Sequence, residues 1–161
     1  MGLPARLTKF LKKHKVYYQV CVHPQTFTCC ETAEVERISG KKMAKVVMVK
    51  VDEKDAMVVL PSNRVVDLFK LSTALGTQDV RVEEEKEFKD LFPDCETGAM
   101  PPLGKIYGVP CYADQSLREE NELCFNAGNH FETIEISTTD FLRVSKAVWG
   151  DFSVIGKKVA A

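Results

Sequence analysis

The feature that most constrains the fold is a pair of apolar runs joined by a short charged connection. The first run covers residues 44–52 and is dominated by valine, the second covers residues 56–61, and residues 52–55 are all charged. β-Branched residues favour strands, and two such runs separated by a polar turn predict a β-hairpin. The chain must therefore build a sheet around this hairpin.

Helix and strand patterns alternate along the rest of the chain. Apolar residues at helical spacing predict helices over residues 3–13, 28–39, 64–75 and 83–92, and a last helix capped by Thr138 or Thr139 that ends near residue 146. Alternating runs predict strands over residues 16–23, 79–82, 106–112, 122–126 and 131–137. Frequent hairpins favour an α/β fold of the α+β type, with a mixed sheet covered by helices, over a regular parallel arrangement.

Length and composition fit a single domain for the chain of residues 1–161, with the continuous fold ending near Val144 and a C-terminal tail behind it. No apolar run approaches the roughly 20 residues that span a bilayer. The first six residues lack the apolar core of a signal peptide. We therefore expect a cytoplasmic protein that does not enter a membrane.

The six cysteines show no spacing typical of a zinc site. In a cytosolic chain we expect them to be reduced and mostly buried, and we expect neither a metal nor a cofactor. Cys29 and Cys30 are adjacent, which makes them the pair to examine for a reactive thiol.

Charge is distributed unevenly although the net charge is only −1. Residues 1–50 contain ten Lys or Arg and three Asp or Glu, and the remaining residues contain twelve and twenty. This asymmetry indicates either a basic face that meets phosphates or a solvated surface with a local bias.

Lys45 is the first candidate for chemistry. Side chains alternate along a strand, so Lys45 shares a face with Val47, Val49 and Val51, and that face should be buried. The ammonium would then reach the rim of the core, where it could grip a phosphate or an oxyanion. The simpler alternative is a lysine at the end of a strand that extends into water.

Two loops are the other candidates. Residues 98–104 place two prolines between two glycines, which makes a stiff turn able to present backbone N–H groups to a ligand, or simply a rigid connection. Residues 126–130 link two strands and place His130 beside Gly128. His130 could act as a general base, donate a hydrogen bond, or serve only the turn.

Taken in order, these stretches resemble the YbaK/prolyl-tRNA-synthetase-associated domain family. The resemblance extends from about Leu7 to Val144 and rests on the following stretches: His23-Pro24, residues 44–47, Leu60-Pro61, residues 64–68, residues 98–104 and residues 125–130. It implies a mixed, partly barrel-like β-sheet flanked by helices, with one pocket. Leu103 stands where the family frequently has Phe.

The resemblance also implies a function: hydrolysis, in trans, of the ester between an incorrect small amino acid and tRNA. Alanine on tRNA-Pro is favoured by analogy, and serine, threonine and cysteine stay open. The implied site residues are catalytic Lys45, His130 and Gly98, substrate-binding Pro101, Pro102, Gly104, Gly128 and Asn129, and tRNA-binding Lys9, Lys12, Lys13, Lys41 and Lys42.

The partner implied is the 3′ acceptor end of tRNA, with an aminoacyl-tRNA synthetase as a second candidate. Two other classes of function stay open from the residues alone. One is a non-catalytic module that holds tRNA or a synthetase, and the other is a thiol-based redox enzyme that uses Cys29 or Cys30.

Overall fold

The structure is a computed structural model, and it describes residues 2–26 and 28–156. Its helices are α1 Ala5–Lys13, α2 Cys29–Glu36, α3 Leu68–Leu75, α4 Glu85–Phe88 and α5 Thr138–Ser145. Its strands are β1 Gln19–Val22, β2 Met43–Val51, β3 Lys54–Pro61, β4 Arg64–Val66, β5 Val80–Val82, β6 Cys111–Asp114, β7 Glu122–Asn126, β8 Glu132–Ser137, β9 Val148–Gly150 and β10 Ser153–Ile155. Short 3-10 turns cover Lys89–Leu91, Gly104–Tyr107 and Gln115–Glu119.

Eight strands of the described residues form one mixed sheet in the order β1-β8-β7-β2-β3-β6-β9, with β5 paired to β2. β2 runs antiparallel to β3 and β5 but parallel to β7, and β6 runs parallel to both β3 and β9. β4 and β10 pair separately as a two-stranded antiparallel ribbon. The predicted mixed sheet flanked by helices is confirmed.

The predicted hairpin is the centre of this sheet. β2 and β3 pair in an eight-residue register from Ala44 opposite Pro61 to Val51 opposite Lys54. The turn is shorter than expected, because Lys54 and the residue after it already belong to β3. Asp52 and Glu53 both have positive φ, which gives the two-residue turn the twist that suits a hairpin.

The two faces of β2 pack in different layers. Ala44 and Met48 point into the larger core cluster, together with Leu7 of α1 and Phe141 of α5. Val49 points the other way, into a second cluster on the side of α3. Because successive side chains of a strand point to opposite faces, a single valine-rich strand supports both layers.

Several predicted boundaries were wrong. Residues 64–66 form strand β4 instead of a first helical turn, because they pair with residues 153–155, and α3 begins only after Asp67, whose Oδ1 accepts a hydrogen bond from Lys70 N. Residues 106–107 belong to a 3-10 turn, and β6 starts at Cys111. The charged segment 83–92 is helical for one turn only before it becomes a 3-10 turn.

The helix ends also differ from the prediction. α2 ends at Glu36 and is closed by Arg37 in the left-handed conformation, so Gly40 is not its stop. α5 is capped by Ser137, whose hydroxyl accepts from Asp140 N, and not by either threonine. Strand β1 is confined to four residues of the predicted 16–23.

The predicted C-terminal tail is a further correction. Residues 148–150 add β9 to the sheet beside β6, and residues 153–155 pair with β4. Phe152 between them is almost fully buried in the second core cluster. In the part of the chain that the structure describes, no helix is long and apolar enough to span a membrane.

Candidate functional site

Lys45 lies near the start of β2, on the same face as Met43 and Val47. Met43 packs with residues of α2 in a small cluster, whereas Val47 packs against the cluster on the side of α3. The half-buried Lys45 therefore stands in the gap between two apolar clusters. This position agrees with the strand alternation from which it was predicted.

The ammonium of Lys45 donates a hydrogen bond to the backbone carbonyl of Ser62, with Nζ 3.4 Å from the oxygen. Ser62 itself is firmly held, because its N–H approaches Met43 O at 2.7 Å and Gly40 O at 3.1 Å and its hydroxyl donates to Gly40 O. The same Ser62 carbonyl accepts from the thiol of Cys30 at 3.1 Å. Ser62 thus joins the start of β2 to the first turn of α2.

Cys29 occupies the first position of α2, which Thr28 caps by accepting a hydrogen bond from Glu31 N. Its Sγ accepts from Nδ2 of Asn126 at 3.5 Å. Asn126 ends strand β7 and is only 5% exposed. Among the described residues, Oδ1 of Asn126 has no hydrogen-bond partner although it is buried, which marks it as a place for a polar ligand group.

Burial raises the pKa of the Cys29 thiol to about 11, against the lowering effects of the Lys45 charge and the Asn126 hydrogen bond. At neutral pH the group is therefore a thiol and a poor nucleophile. This finding argues against the redox alternative at Cys29. It also shows that Lys45 lies close enough to Cys29 for its charge to act on the sulfur.

The two predicted loops do come together. Glu96 N donates to Gly128 O at 2.8 Å, and Gly128 N donates to Ala99 O at 2.8 Å. His130 is 9% exposed and rests on the same segment, with Nε2 2.9 Å from Thr97 O. A carbonyl can only accept, so Nε2 is the donor in this contact.

The glycines of the first loop have different environments. Gly98 is exposed with φ +83°, and a Cβ there would lie 3.7 Å from Cε1 of His130. Gly104 is buried, and a Cβ there would lie 2.4 Å from Val109 O, so backbone packing alone requires glycine at this position. Pro101 and Pro102 between them are buried.

Local packing and hydrogen bonds also account for the residue types in the second loop, residues 126–130. A Cβ on Gly128 would lie 2.5 Å from Cγ of Pro4, ahead of helix α1. Oδ1 of Asn129 accepts from Phe131 N and Glu132 N, both at 2.8 Å, and Nδ2 donates to the Glu132 carboxylate. Substrate contact at these loop residues stays a prediction. The same residues also pack against their neighbours or stabilise the turn.

The segment before α2 ties this loop to the Lys45 region. His23 N donates to Phe131 O at 2.8 Å, and Thr26 N donates to His130 O at 3.2 Å. Thr26 also shares a hydroxyl–hydroxyl hydrogen bond with Thr32 of α2. The candidate site therefore includes the start of α2, the start of β2, the end of β7 and the joined loops.

The predicted tRNA-binding lysines fall into two groups. Lys9, Lys12 and Lys13 are exposed on α1, and Lys41 is exposed just before β2. Lys42 is engaged, since its Nζ lies 3.0 Å from Oε2 of Glu135. The structure thus leaves four of these five side chains displayed to solvent.

Sequence reasoning did not single out Ser62, and it included Asn126 in the candidate loop 126–130 without giving it a role of its own. A weak signal was available for each: Ser62 directly follows the proline that ends β3, and Asn126 is a polar residue at the end of an apolar strand. Their importance depends on contacts with α2 that no local pattern indicates.

Known proteins resemble this chain in sequence and in fold. Over 146 residues the chain is 25% identical to the multifunctional Ser/Thr-tRNA deacylase ProXp-y of Escherichia coli strain K12, covering 88% of this chain and 87% of that protein. The structure of hypothetical protein APE2540 matches with a TM-score of 0.83 at 18% identity, covering 92% of this chain and 99% of that one. A candidate trans-editing enzyme for prolyl-tRNA synthetase matches with a TM-score of 0.81 at 19% identity, covering 92% and 95%. These structures show a shared fold.

The family match confirms the enzyme class expected from the sequence, a hydrolase of aminoacyl-tRNA esters. Residues 23–144 match the model of the aminoacyl-tRNA editing domain, and this range contains β2, β7, α2 and both loops of the site. The chain belongs to the aminoacyl-tRNA editing domain family.

Proposed function

We propose that this protein removes a small amino acid from mischarged tRNA and that it acts in trans, in the cytosol, as one domain over residues 1–161. The observation that carries the proposal is the half-buried residue Lys45, which lies in the gap between two apolar clusters with its ammonium on the Ser62 carbonyl. The named activity of the E. coli relative on Ser/Thr-tRNA supports a reaction of the same type here.

Lys45 supplies positive charge where the reaction needs it. An aminoacyl ester is already reactive toward water, so positioning and charge stabilisation suffice without a strong nucleophile. An ammonium has three donors, and the 3.4 Å contact to Ser62 O is long for a hydrogen bond. The remaining donors hold the phosphate of the 3′-terminal nucleotide or the oxyanion that forms when water attacks the ester carbonyl.

The joined loops complete the site in this proposal. Gly98 is exposed with its backbone in the left-handed region, and it offers an N–H group to the oxyanion. His130 holds the segment before Gly98 through Thr97 O and so positions that amide. Pro101, Pro102 and the nearby Gly104 are buried, and in this proposal they contact the amino-acid moiety of the substrate.

The residues around Lys45 bear on which amino acid is removed. The sequence resemblance favours alanine, but the buried Oδ1 of Asn126 offers a hydrogen-bond acceptor to a hydroxyl group. A site built to bond a hydroxyl discriminates strongly against the analogue that lacks it. We therefore rank serine and threonine ahead of alanine and cysteine, in agreement with the named substrates of the E. coli relative.

The acceptor end of tRNA meets the protein through phosphates in this proposal. Lys9, Lys12 and Lys13 on α1, with Lys41 before β2, supply exposed positive charge. Lys42 contributes after exchanging its ion pair with Glu135 for a phosphate. Phosphate contacts hold and orient the RNA without reading its sequence, so tRNA identity must come from elsewhere.

The proposal is tested by incubating the protein with a panel of tRNAs charged with serine, threonine, alanine or cysteine. We expect loss of the charged species faster than in buffer, with the hydroxylated amino acids removed fastest. Cognate seryl-tRNA, threonyl-tRNA and alanyl-tRNA serve as comparisons for selectivity toward the tRNA. If tRNA binds with a steep salt dependence but no ester is cleaved, the protein is the non-catalytic module instead.

A further inference from the structure

A groove lies between α1 and the segment that follows it, and we call it the α1 groove. This open groove has a volume of about 730 Å³, within the range of roughly 300 to 1,000 Å³ typical of small-ligand sites. Its lining residues are Thr8, Lys9, Lys12, Lys15, Val16, Tyr17 and Tyr18. The Lys45 site involves none of these residues.

The groove forms because the segment after α1 turns back along the helix. Leu7 and Leu11 are fully buried and fix the inner face of the helix, which directs its lysines outward. Lys15 adopts φ +54°, and Val16 N returns to Leu11 O at 2.9 Å. Val16 is buried beside the helix, so the next residue, Tyr17, projects into solvent.

Tyr17 is 91% exposed, more than any other large hydrophobic residue that the structure describes. An exposed aromatic ring beside a groove is a common feature of binding sites, because the ring offers a large rigid surface with little entropy to lose. Tyr18, at 36% exposure, lines the same groove. The groove thus combines flat apolar surface with the charges of its three lysines.

The charge around the groove is strongly positive. No acidic residue occurs in the sequence before Glu31. The neighbouring His14 lies in the same positive potential. Partial burial lowers its pKa, and the charges of Lys13, Arg143 and other nearby cations lower this pKa further. This charge favours an anionic ligand in the α1 groove, and the tyrosine rings favour one that also presents flat rings.

We propose that the α1 groove binds an unpaired nucleotide of RNA, with the Tyr17 ring as the stacking surface and Lys9, Lys12 and Lys15 on the flanking phosphates. Lysines that follow a backbone beside an aromatic side chain are typical of single-strand binding. The concave groove suits a strand better than it suits a flat membrane surface. The identification of the strand as the acceptor end of tRNA rests on the proposed function.

The path of the chain connects the groove to the editing site. β1 follows the groove directly, and the next residue, His23, donates to Phe131 O beside His130. The five steps along the chain from Tyr18 to His23 span at most about 17 Å in extended form. An RNA 3′ end of a few unpaired nucleotides can bridge such a distance, so one strand can occupy both places.

The test measures binding of uncharged tRNA by fluorescence anisotropy over a range of salt concentrations. We expect Tyr17→Ala to weaken binding about tenfold and Tyr17→Trp to restore it, because stacking needs only an aromatic face. Lys12→Gln should reduce the slope of log affinity against log salt by about one phosphate contact. Phe69→Ala removes another strongly exposed aromatic ring, from α3, and serves as the matched control, with binding unchanged.

The deacylation assay adds a second readout. Tyr17→Ala should impair hydrolysis of full-length aminoacyl-tRNA more than hydrolysis of an aminoacylated terminal adenosine, because that fragment does not reach the groove. Equal tRNA binding by Tyr17→Ala and Phe69→Ala would overturn the inference. So would a Tyr17→Ala variant that loses affinity for anionic lipid vesicles or a polyglutamate peptide but not for tRNA.

Failure of the inference and failure of the proposed function are separable. If no ester is hydrolysed but tRNA binding depends on Tyr17, the proposed function fails and the groove stands. If esters are hydrolysed and Tyr17 is irrelevant to tRNA binding, the groove fails and the proposed function stands.

Discussion

Asn126 donates its amide hydrogen to the sulfur of Cys29 at 3.5 Å, which fixes the orientation of the side chain between β7 and α2. In this orientation Oδ1 is buried, and none of the described residues donates a hydrogen bond to it. An unsatisfied buried acceptor costs about 1–3 kcal/mol, and a ligand hydroxyl could recover that free energy. Asn126 is therefore the side chain from which we expect amino-acid selectivity.

Replacing Asn126 by Ala should reduce discrimination between seryl and alanyl esters. We expect kcat/KM for seryl-tRNA to fall about tenfold relative to kcat/KM for alanyl-tRNA, because only the hydroxylated substrate loses a hydrogen bond. Asn121→Ala changes an exposed asparagine of the loop before β7 and is the control. An equal fall for both substrates would mean that Asn126 supports the fold of the site and does not select the amino acid.

Replacing Lys45 by Ala should lower the deacylation rate about 100-fold, the loss typical of removing one group that stabilises an oxyanion. Lys45→Arg should recover little, since a planar guanidinium cannot replace a compact ammonium held by the Ser62 carbonyl. Rates are measured in single-turnover experiments with the preferred substrate of the panel. Lys54→Ala, an exposed lysine at the start of β3, controls for loss of charge. Full activity of Lys45→Ala would remove Lys45 from the mechanism.

Alkylation of Cys29 should be slow near neutral pH, because burial raises the pKa of its thiol to about 11. Below that value the thiolate fraction grows about tenfold per pH unit, and the labelling rate should follow it. The Lys45 charge lowers this pKa, so Lys45→Gln should slow the labelling of Cys29 at every pH tested. Mass spectrometry of iodoacetamide-treated protein between pH 7 and 10 measures both effects. Rapid labelling at pH 7 would show a reactive thiolate and revive the redox alternative.

The position of Lys45 could be predicted because strand periodicity is a local property. The alternation of β2 places Lys45 on one face with Val47 and Val49, and the structure agrees. The partners of Lys45 could not be predicted in the same way. Ser62 lies 17 positions away, and the contact between Asn126 and Cys29 joins residues 97 positions apart. Such contacts depend on how α2 crosses the sheet, which no local pattern describes.

The errors in secondary structure have the same origin. Residues 64–66 are helical by local pattern but become a strand because residues 153–155 pair with them. The predicted tail beyond residue 144 contains both β9 and β10, whose three-residue lengths are too short for periodicity to show. Tertiary pairing determines these segments, whereas the long hairpin is determined by its own sequence.

Gly104→Ala should destabilise the protein strongly, since its Cβ would lie 2.4 Å from the carbonyl oxygen of Val109, a backbone atom that cannot move aside cheaply. We expect a loss of about 2–4 kcal/mol in the free energy of unfolding. Gly108→Ala is the matched control, because its Cβ meets nothing within 4 Å and only its φ of +70° is unfavourable. That strain costs about 1–2 kcal/mol. Urea unfolding of both variants measures the difference, and equal losses would contradict the packing argument.

Glu83 should make stability depend on pH, because its carboxyl group is buried against β2. Burial and then the neighbouring Asp55 carboxylate raise the pKa of Glu83 to about 7, although Lys50 Nζ lies 3.5 Å from Oε1 and opposes the shift. The folded state thus holds a proton that the unfolded state releases near pH 4.3. The stability from this proton is fully present below about pH 4.3 and is lost as pH rises through 7. The pKa of Asp55 is lowered, so its contribution changes only at more acidic pH.

Glu83→Gln should therefore flatten the dependence of Tm on pH between 5 and 8. The neutral amide resembles the protonated carboxyl group and keeps a donor for Asp55, so the variant should lose less stability than the parent as pH rises. Glu119→Gln, an exposed glutamate, is the control and should leave the profile unchanged. Calorimetric Tm values at half-unit intervals of pH supply the comparison. A variant that follows the parent profile across this range would show that Glu83 ionises in the folded protein as it does in the unfolded chain.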